Sequence, residues 1–150
     1  GGAALADGAG IRRVGSILAA RGGGRPIAVV SAAAGVTELL LQVAAAAAEG
    51  RSELERVRIR HRSLLSQCGL DPELLNRMLA ELGSVLEGIR ERGRVTPPER
   101  DFVLSFGERM SARIVAAALR GGGRAATPVA AFDLASAPPP ASVKIQIAMP

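Results

Sequence analysis

The chain has 150 residues, a mass of 15.4 kDa and a formal charge of +5, with 48% hydrophobic residues and only 2% aromatic ones. That much apolar material excludes disorder for want of a core, and a chain with three Phe, no Trp and no Tyr offers no stacking platform for bases or sugars. All but one of the 19 basic residues are Arg interspersed with Glu, so the charge reads as compositional background and no nucleic-acid role is expected.

In chain order, Ile11, Val14, Ile17 and Leu18 follow helical spacing up to the glycine run Gly22–Gly24. Pro26 to Ser31 (PIAVVS) has the β-branched pattern of a strand buried on both faces. Ala32-Ala33-Ala34-Gly35 forms a tight loop, and a helix starting at Val36 or Thr37 runs to about Glu49. Helix, strand, loop and helix in succession predict an α/β fold with a mainly parallel sheet.

The middle of the chain is expected to be a helical hairpin. Its first arm, Arg51 to Gln67, carries Leu54, Val57, His61, Leu64 and Leu65 on one stripe, with Arg56, Arg58, Arg60 and Arg62 as a solvated face. Asp71-Pro72-Glu73 is a helix-start signal. The stripe from Leu74 to Ile89 that follows can cover a sheet or form a partner surface. Thr96-Pro97-Pro98-Glu99 is a capping box for a helix reaching toward Leu119, with Gly107 a candidate bend. Ala125 to Leu134 and the alternating Val143, Ile145 and Ile147 read as strands, separated by the stiff Pro138–Pro140.

One Cys and one His leave no disulfide and no metal site of the usual kind. Cys68 is expected to be inert and His61 to be structural. The longest apolar run, Leu39 to Ala48, is too short to span a bilayer. No basic-then-apolar leader opens the chain, so a soluble cytoplasmic setting is expected. A start at Gly1 without Met fits a processed chain or a fragment.

Three segments carry the functional signal. They are Gly1-Gly2 with Ala3-Ala4, Ser31-Ala-Ala-Ala-Gly35-Val36-Thr37, and Ser105-Phe106-Gly107-Glu108-Arg109-Met110-Ser111. Together they resemble the aspartate kinases of the amino-acid kinase superfamily, whose amino-terminal half carries Lys-Phe-Gly-Gly-Thr-Ser, Ser-Ala-x-x-Gly-Val-Thr and Ser-x-Gly-Glu-x-x-Ser. The helical span of roughly 70 residues between the second and third segments is similar to that of the lysine-sensitive and homoserine-dehydrogenase-fused forms. The resemblance covers residues 1–134 as the amino-terminal part of a catalytic domain, with 135–150 a Pro-rich spacer and tail.

The resemblance implies a partial three-layer amino-acid-kinase fold with the hairpin as an insertion. It implies ATP-dependent phosphorylation of L-aspartate at its side-chain carboxylate, at the entry to lysine, threonine and methionine biosynthesis, with ATP and Mg2+ as nucleotide and cofactor. Gly1 and Gly2 match the phosphate-facing glycines, Ser31 and Thr37 the substrate loop, and Glu108 the residue that binds the substrate ammonium. No catalytic residue is assigned. The family lysine has no counterpart here and Ala3-Ala4 stand where the family has Thr-Ser, so the isolated chain is expected to be incomplete and inactive. A homo-oligomer or the remainder of a longer parent chain is the expected partner.

Each match has a plainer alternative. Thr37 can be an N-cap, Ser31 a strand-terminating polar residue, and Ser105-x-x-Glu108 a capping box. A continuous helix through Ser105 would remove the last of these. The competing functional reading is a non-catalytic binding or assembly module on the same scaffold.

Overall fold

A computed structural model describes residues 2–20 and 27–130. After a short 3-10 turn at Gly2–Leu5 come α1 (Gly8–Ala20), α2 (Val36–Ala48), α3 (Leu54–Gln67), α4 (Asn76–Arg92) and α5 (Pro97–Gly121). Helix α2 is central and packs on α3, α4 and α5, while α1 lies against α3, α5 and the 3-10 turn.

The helical stripes account for this arrangement. Val57, His61, Leu64 and Leu65 of α3 face inward, as do Met78, Leu79, Leu82, Leu86 and Ile89 of α4. They meet Val36, Leu40 and Val43 of α2 and Val103, Phe106, Met110 and Ile114 of α5 in a single core. Each large side chain buried there contributes about 1.5–3 kcal/mol through removal of apolar area from water. The alanine-rich α2 suits the central position, because Ala has the highest helix propensity and Ala44, Ala46 and Ala47 let its neighbours approach closely. Most of the Leu74–Ile89 stripe is therefore spent inside the bundle, with Leu74 and Val85 only partly buried.

The expectation of a mainly parallel-sheet α/β fold is overturned: the described residues contain no strand. The PIAVVS run was expected to be buried on both faces, yet Ile27 is 74% and Val29 90% exposed, and only its far end reaches the core through half-buried Val30. A strand requires neighbouring backbone to complete its ladder, and none lies beside this run among the described residues. Residues 125–130, the described half of the second expected strand, have no regular structure. The remainder of that segment, the Pro138–Pro140 spacer and the Val143–Ile147 alternation lie outside the described residues.

Two helix starts illustrate the local chemistry. Thr96 caps α5 as expected: Glu99 Oε2 accepts from the Thr96 N–H at 3.0 Å and from its hydroxyl at 2.6 Å, which holds the Glu99 carboxyl below its ordinary pKa. Asp71 does not start α4. Its carboxylate accepts the Glu73 N–H at 2.8 Å in a local turn, and the helix begins five residues on at Asn76.

Candidate functional site

The three segments singled out in the sequence meet at one small residue, Ala32. Gly2 lies so close to it that a Cβ on Gly2 would sit 2.8 Å from the Ala32 carbonyl oxygen. On the other side, a Cβ on Gly107 would sit 2.7 Å from the Ala32 methyl and 3.4 Å from a Leu40 methyl. The two distances to Ala32 are below what side chains tolerate, so glycine at each position permits the approach. Ala32 and Ala33 are themselves buried, which anchors the loop between Ser31 and Thr37 to the bundle.

Gly35 takes φ 77° and is the N-cap residue of α2. The N-cap alternative for Thr37 is thereby removed: Thr37 is the second residue of the helix, and its side chain is exposed. The Val36 N–H is satisfied by the Ala33 carbonyl at 3.0 Å. The Thr37 and Glu38 N–H groups have no backbone acceptor among the described residues, as is usual in a first helical turn. Those two donors and the Thr37 hydroxyl form a favourable place for an anionic group. Ser31 is exposed at the other end of the loop.

Helix α5 runs unbroken through Ser105, whose hydroxyl donates to the Phe102 carbonyl at 2.7 Å. No cap is needed there, so the capping-box reading of Glu108 falls. Glu108 is exposed and follows directly on the Gly107–Ala32 contact. Its neighbour Arg109 pairs with a different carboxylate, that of Glu81. Arg109 Nη2 lies 3.0 and 3.2 Å from the carboxylate oxygens of Glu81, and the guanidinium sits 4.5 Å from the Phe106 ring centre. The exposed Glu108 carboxylate is of the chemical type that accepts from an ammonium group.

The structure brings Gly2, the Ser31–Thr37 loop and the Gly107–Glu108 step of α5 into one region; Gly1 lies outside the described residues. Gly2 needs its missing side chain for the Ala32 approach whether or not a phosphate binds beside it. Among the described residues no three of His, Cys, Asp and Glu group into a metal site. An open groove of 390 Å3 between α4 and α5, lined by Ser84, Val85, Gly88, Arg92 and Phe102 among others, includes no residue of the three segments.

Two sequence candidates are structural. His61 is 1% exposed and donates its Nδ1 proton to the Val57 carbonyl at 2.8 Å; burial lowers its pKa, partly opposed by that hydrogen bond. Cys68 is a free, half-buried thiol whose pKa burial raises, which makes it a poor nucleophile. One residue escaped the sequence reading. Arg60 was assigned to a solvated face, but it is half-buried and donates to the carbonyls of Ala6 and Ala34 at 2.9 and 3.2 Å.

The sequence profile described as "Amino acid kinase family" matches residues 1–143. The chain belongs to that family. Aspartokinase 1, chloroplastic, of Arabidopsis thaliana is 29% identical over 141 residues, covering 89% of this chain and 25% of that protein. Aspartokinase 2, chloroplastic, of the same plant is 30% identical over 117 residues, 73% of this chain and 22% of its own length. This amino acid kinase chain thus spans about a quarter of the length of the curated relatives it matches, and the aspartokinase resemblance read from its motifs is borne out. No described helix is long and apolar enough to cross a membrane.

Proposed function

We propose that the chain supplies the aspartate-holding part of an aspartokinase-type site. In that reaction a side-chain carboxylate oxygen of L-aspartate attacks the γ-phosphorus of ATP. The bond to the bridging β–γ oxygen breaks, and 4-phospho-L-aspartate and ADP leave. Such a transfer depends on positioning and charge neutralisation more than on covalent help from the protein.

The observation that carries this reading is the meeting of Gly2 and Gly107 on either side of Ala32. That contact supports reading the Gly2 segment, the Ser31–Thr37 loop and the helix step before Glu108 as parts of one site. In this assignment the Thr37 hydroxyl and the open amides at the start of α2 hold a substrate carboxylate, with Ser31 bordering the loop. Glu108 pairs with the substrate ammonium. Gly2 lets backbone amides come close to the nucleotide phosphates, and Mg2+ travels with them.

Binding of L-aspartate to the purified chain, followed by NMR or calorimetry, tests the assignment. Saturable binding should weaken roughly tenfold or more, about 1.4 kcal/mol, in both Thr37→Ala and Glu108→Ala. Succinate, which lacks the ammonium, should bind the wild type and the Glu108→Ala chain alike. No saturable binding to the wild type, or equal binding by all three chains, overturns the proposal.

A further inference from the structure

We infer that Arg60 is a positioning residue of this site, a role that rests on the aspartate-binding reading above. Its Nη2 donates to two carbonyls that are far apart in sequence: Ala6, just after the 3-10 turn that begins at Gly2, and Ala34, inside the substrate loop. One planar group therefore fixes the distance between the phosphate-facing segment and the loop that holds aspartate. Both bonds run from a guanidinium to neutral carbonyls.

A second contact on the same helix shows that α3 is fastened to the amino-terminal segment and does not merely touch it. Gln67 lies seven residues after Arg60, two helical turns along the same face. Its Oε1 accepts the Gly8 N–H at 2.8 Å, while its own carbonyl accepts from Arg12 Nη1 at 2.7 Å. Helix α3 thus holds the amino-terminal segment at both the Ala6 and the Gly8 level, and Arg60 extends that hold to the substrate loop. The neighbouring arginines do other work: Arg56 pairs with Glu53 and Gln42, and Arg58 pairs with Glu55. The helical span between the second and third motifs therefore has a job in the site.

The carbonyls of Ala6 and Ala34 lie in partly buried positions that water can re-enter when Arg60 is shortened or replaced. Loss of Arg60 should thus leave the fold nearly intact while loosening the register of two segments, which a purely structural arginine would not do.

The experiment compares wild type, Arg60→Met, Arg60→Lys and Arg62→Met, with L-aspartate as the probe. In Arg60→Met the carbonyl 13C resonances of Ala6 and Ala34 should both move upfield. L-aspartate affinity should fall roughly tenfold, with amide exchange in the α4 core unchanged. Arg60→Lys, which retains a cationic donor on a long stem, should recover part of the affinity, and Arg62→Met should match wild type. In the wild type itself, rotation of the Arg60 guanidinium should be hindered, a measurement that does not depend on any variant folding. Wild-type affinity in Arg60→Met, or carbonyl resonances that stay in place, overturns the inference. So does affinity that falls only with loss of core protection. Two outcomes separate this inference from the reading beneath it. If wild type binds no L-aspartate although both resonances move, the substrate reading fails and Arg60 is only a structural tie. If wild type binds and Thr37→Ala weakens it while Arg60→Met does not, only the positioning role fails.

Discussion

The core of the α2–α5 bundle and the meeting point at Ala32 are built on opposite principles. In the core, large side chains such as Leu40, Leu82, Phe106 and Ile114 fill space, and burial supplies the stabilisation. Around Ala32, side chains are reduced to a methyl or to nothing, so that backbone segments can touch. The first region makes the chain fold. The second brings the backbone at Gly2 and at Gly107 up to Ala32. Stability and the candidate site should therefore respond separately to substitution, except where one residue belongs to both.

The largest expected effect lies wholly in the first region. Leu82→Ala, at a fully buried position on α4, should cost about 2–5 kcal/mol of unfolding free energy by urea denaturation. The fraction that remains folded should bind L-aspartate as wild type does. Weaker binding by that folded fraction would show that the two regions are not separable.

Gly107 belongs to both regions. Gly107→Ala gains about 1 kcal/mol of helix propensity, but its methyl would stand 2.7 Å from that of Ala32, an overpacking that costs about 1–3 kcal/mol. A net loss of stability is expected. L-aspartate binding should weaken more than in Leu82→Ala, because the clash moves the Ser31–Thr37 loop off α5. A stabilised variant with unchanged binding would break the proposed link between Ala32 and the site.

The third effect vanishes at neutral pH and appears only on acidification. His61 has a folded-state pKa below its ordinary value because burial disfavours the charged ring. The unfolded chain therefore takes up a proton at about pH 6.5 while the folded chain resists it. The stability associated with His61 is complete above that pH and is lost as pH falls through the lowered folded value. Glu99 and Glu87, whose carboxyls are held below the ordinary range by hydrogen bonds from Thr96 and Arg90 respectively, add losses of the same sign at lower pH. Urea midpoints measured from pH 7.5 to 5 should decline in wild type and flatten in His61→Gln; an unchanged slope would mean that the ring is not the titrating group.

The parts legible in the sequence are those whose cause is local. Stripes such as Leu64–Leu65 and Met78–Leu79–Leu82 predicted buried faces because helical spacing alone decides which residues share a side. The Thr96–Glu99 box was equally local. The PIAVVS segment misled because a strand depends on backbone elsewhere in the chain, and its residues cannot state whether that backbone is there. Asp71 misled by a narrower margin, since the side chain that could cap a helix closed a turn instead. Thr37 and Glu108 were named from motif matches, and the sequence left their capping alternatives open. Those alternatives depend on which residue precedes α2 and whether α5 is continuous, both settled by backbone conformation. Arg60 was invisible because its acceptors are main-chain oxygens 54 and 26 residues away, and every residue has such an oxygen.

The contact at Ala32 has a consequence for how the protein behaves in different solutions. Neither the Ala32 methyl against Gly107 nor the Ala32 carbonyl oxygen against Gly2 carries a formal charge, so these two contacts are not screened by salt. Arg60, which ties two of the three segments, bonds to neutral carbonyl oxygens. An ammonium held by Glu108, by contrast, is an exposed ion pair that salt weakens. High ionic strength should thus weaken the hold on the ammonium while leaving the contacts at Ala32 unchanged.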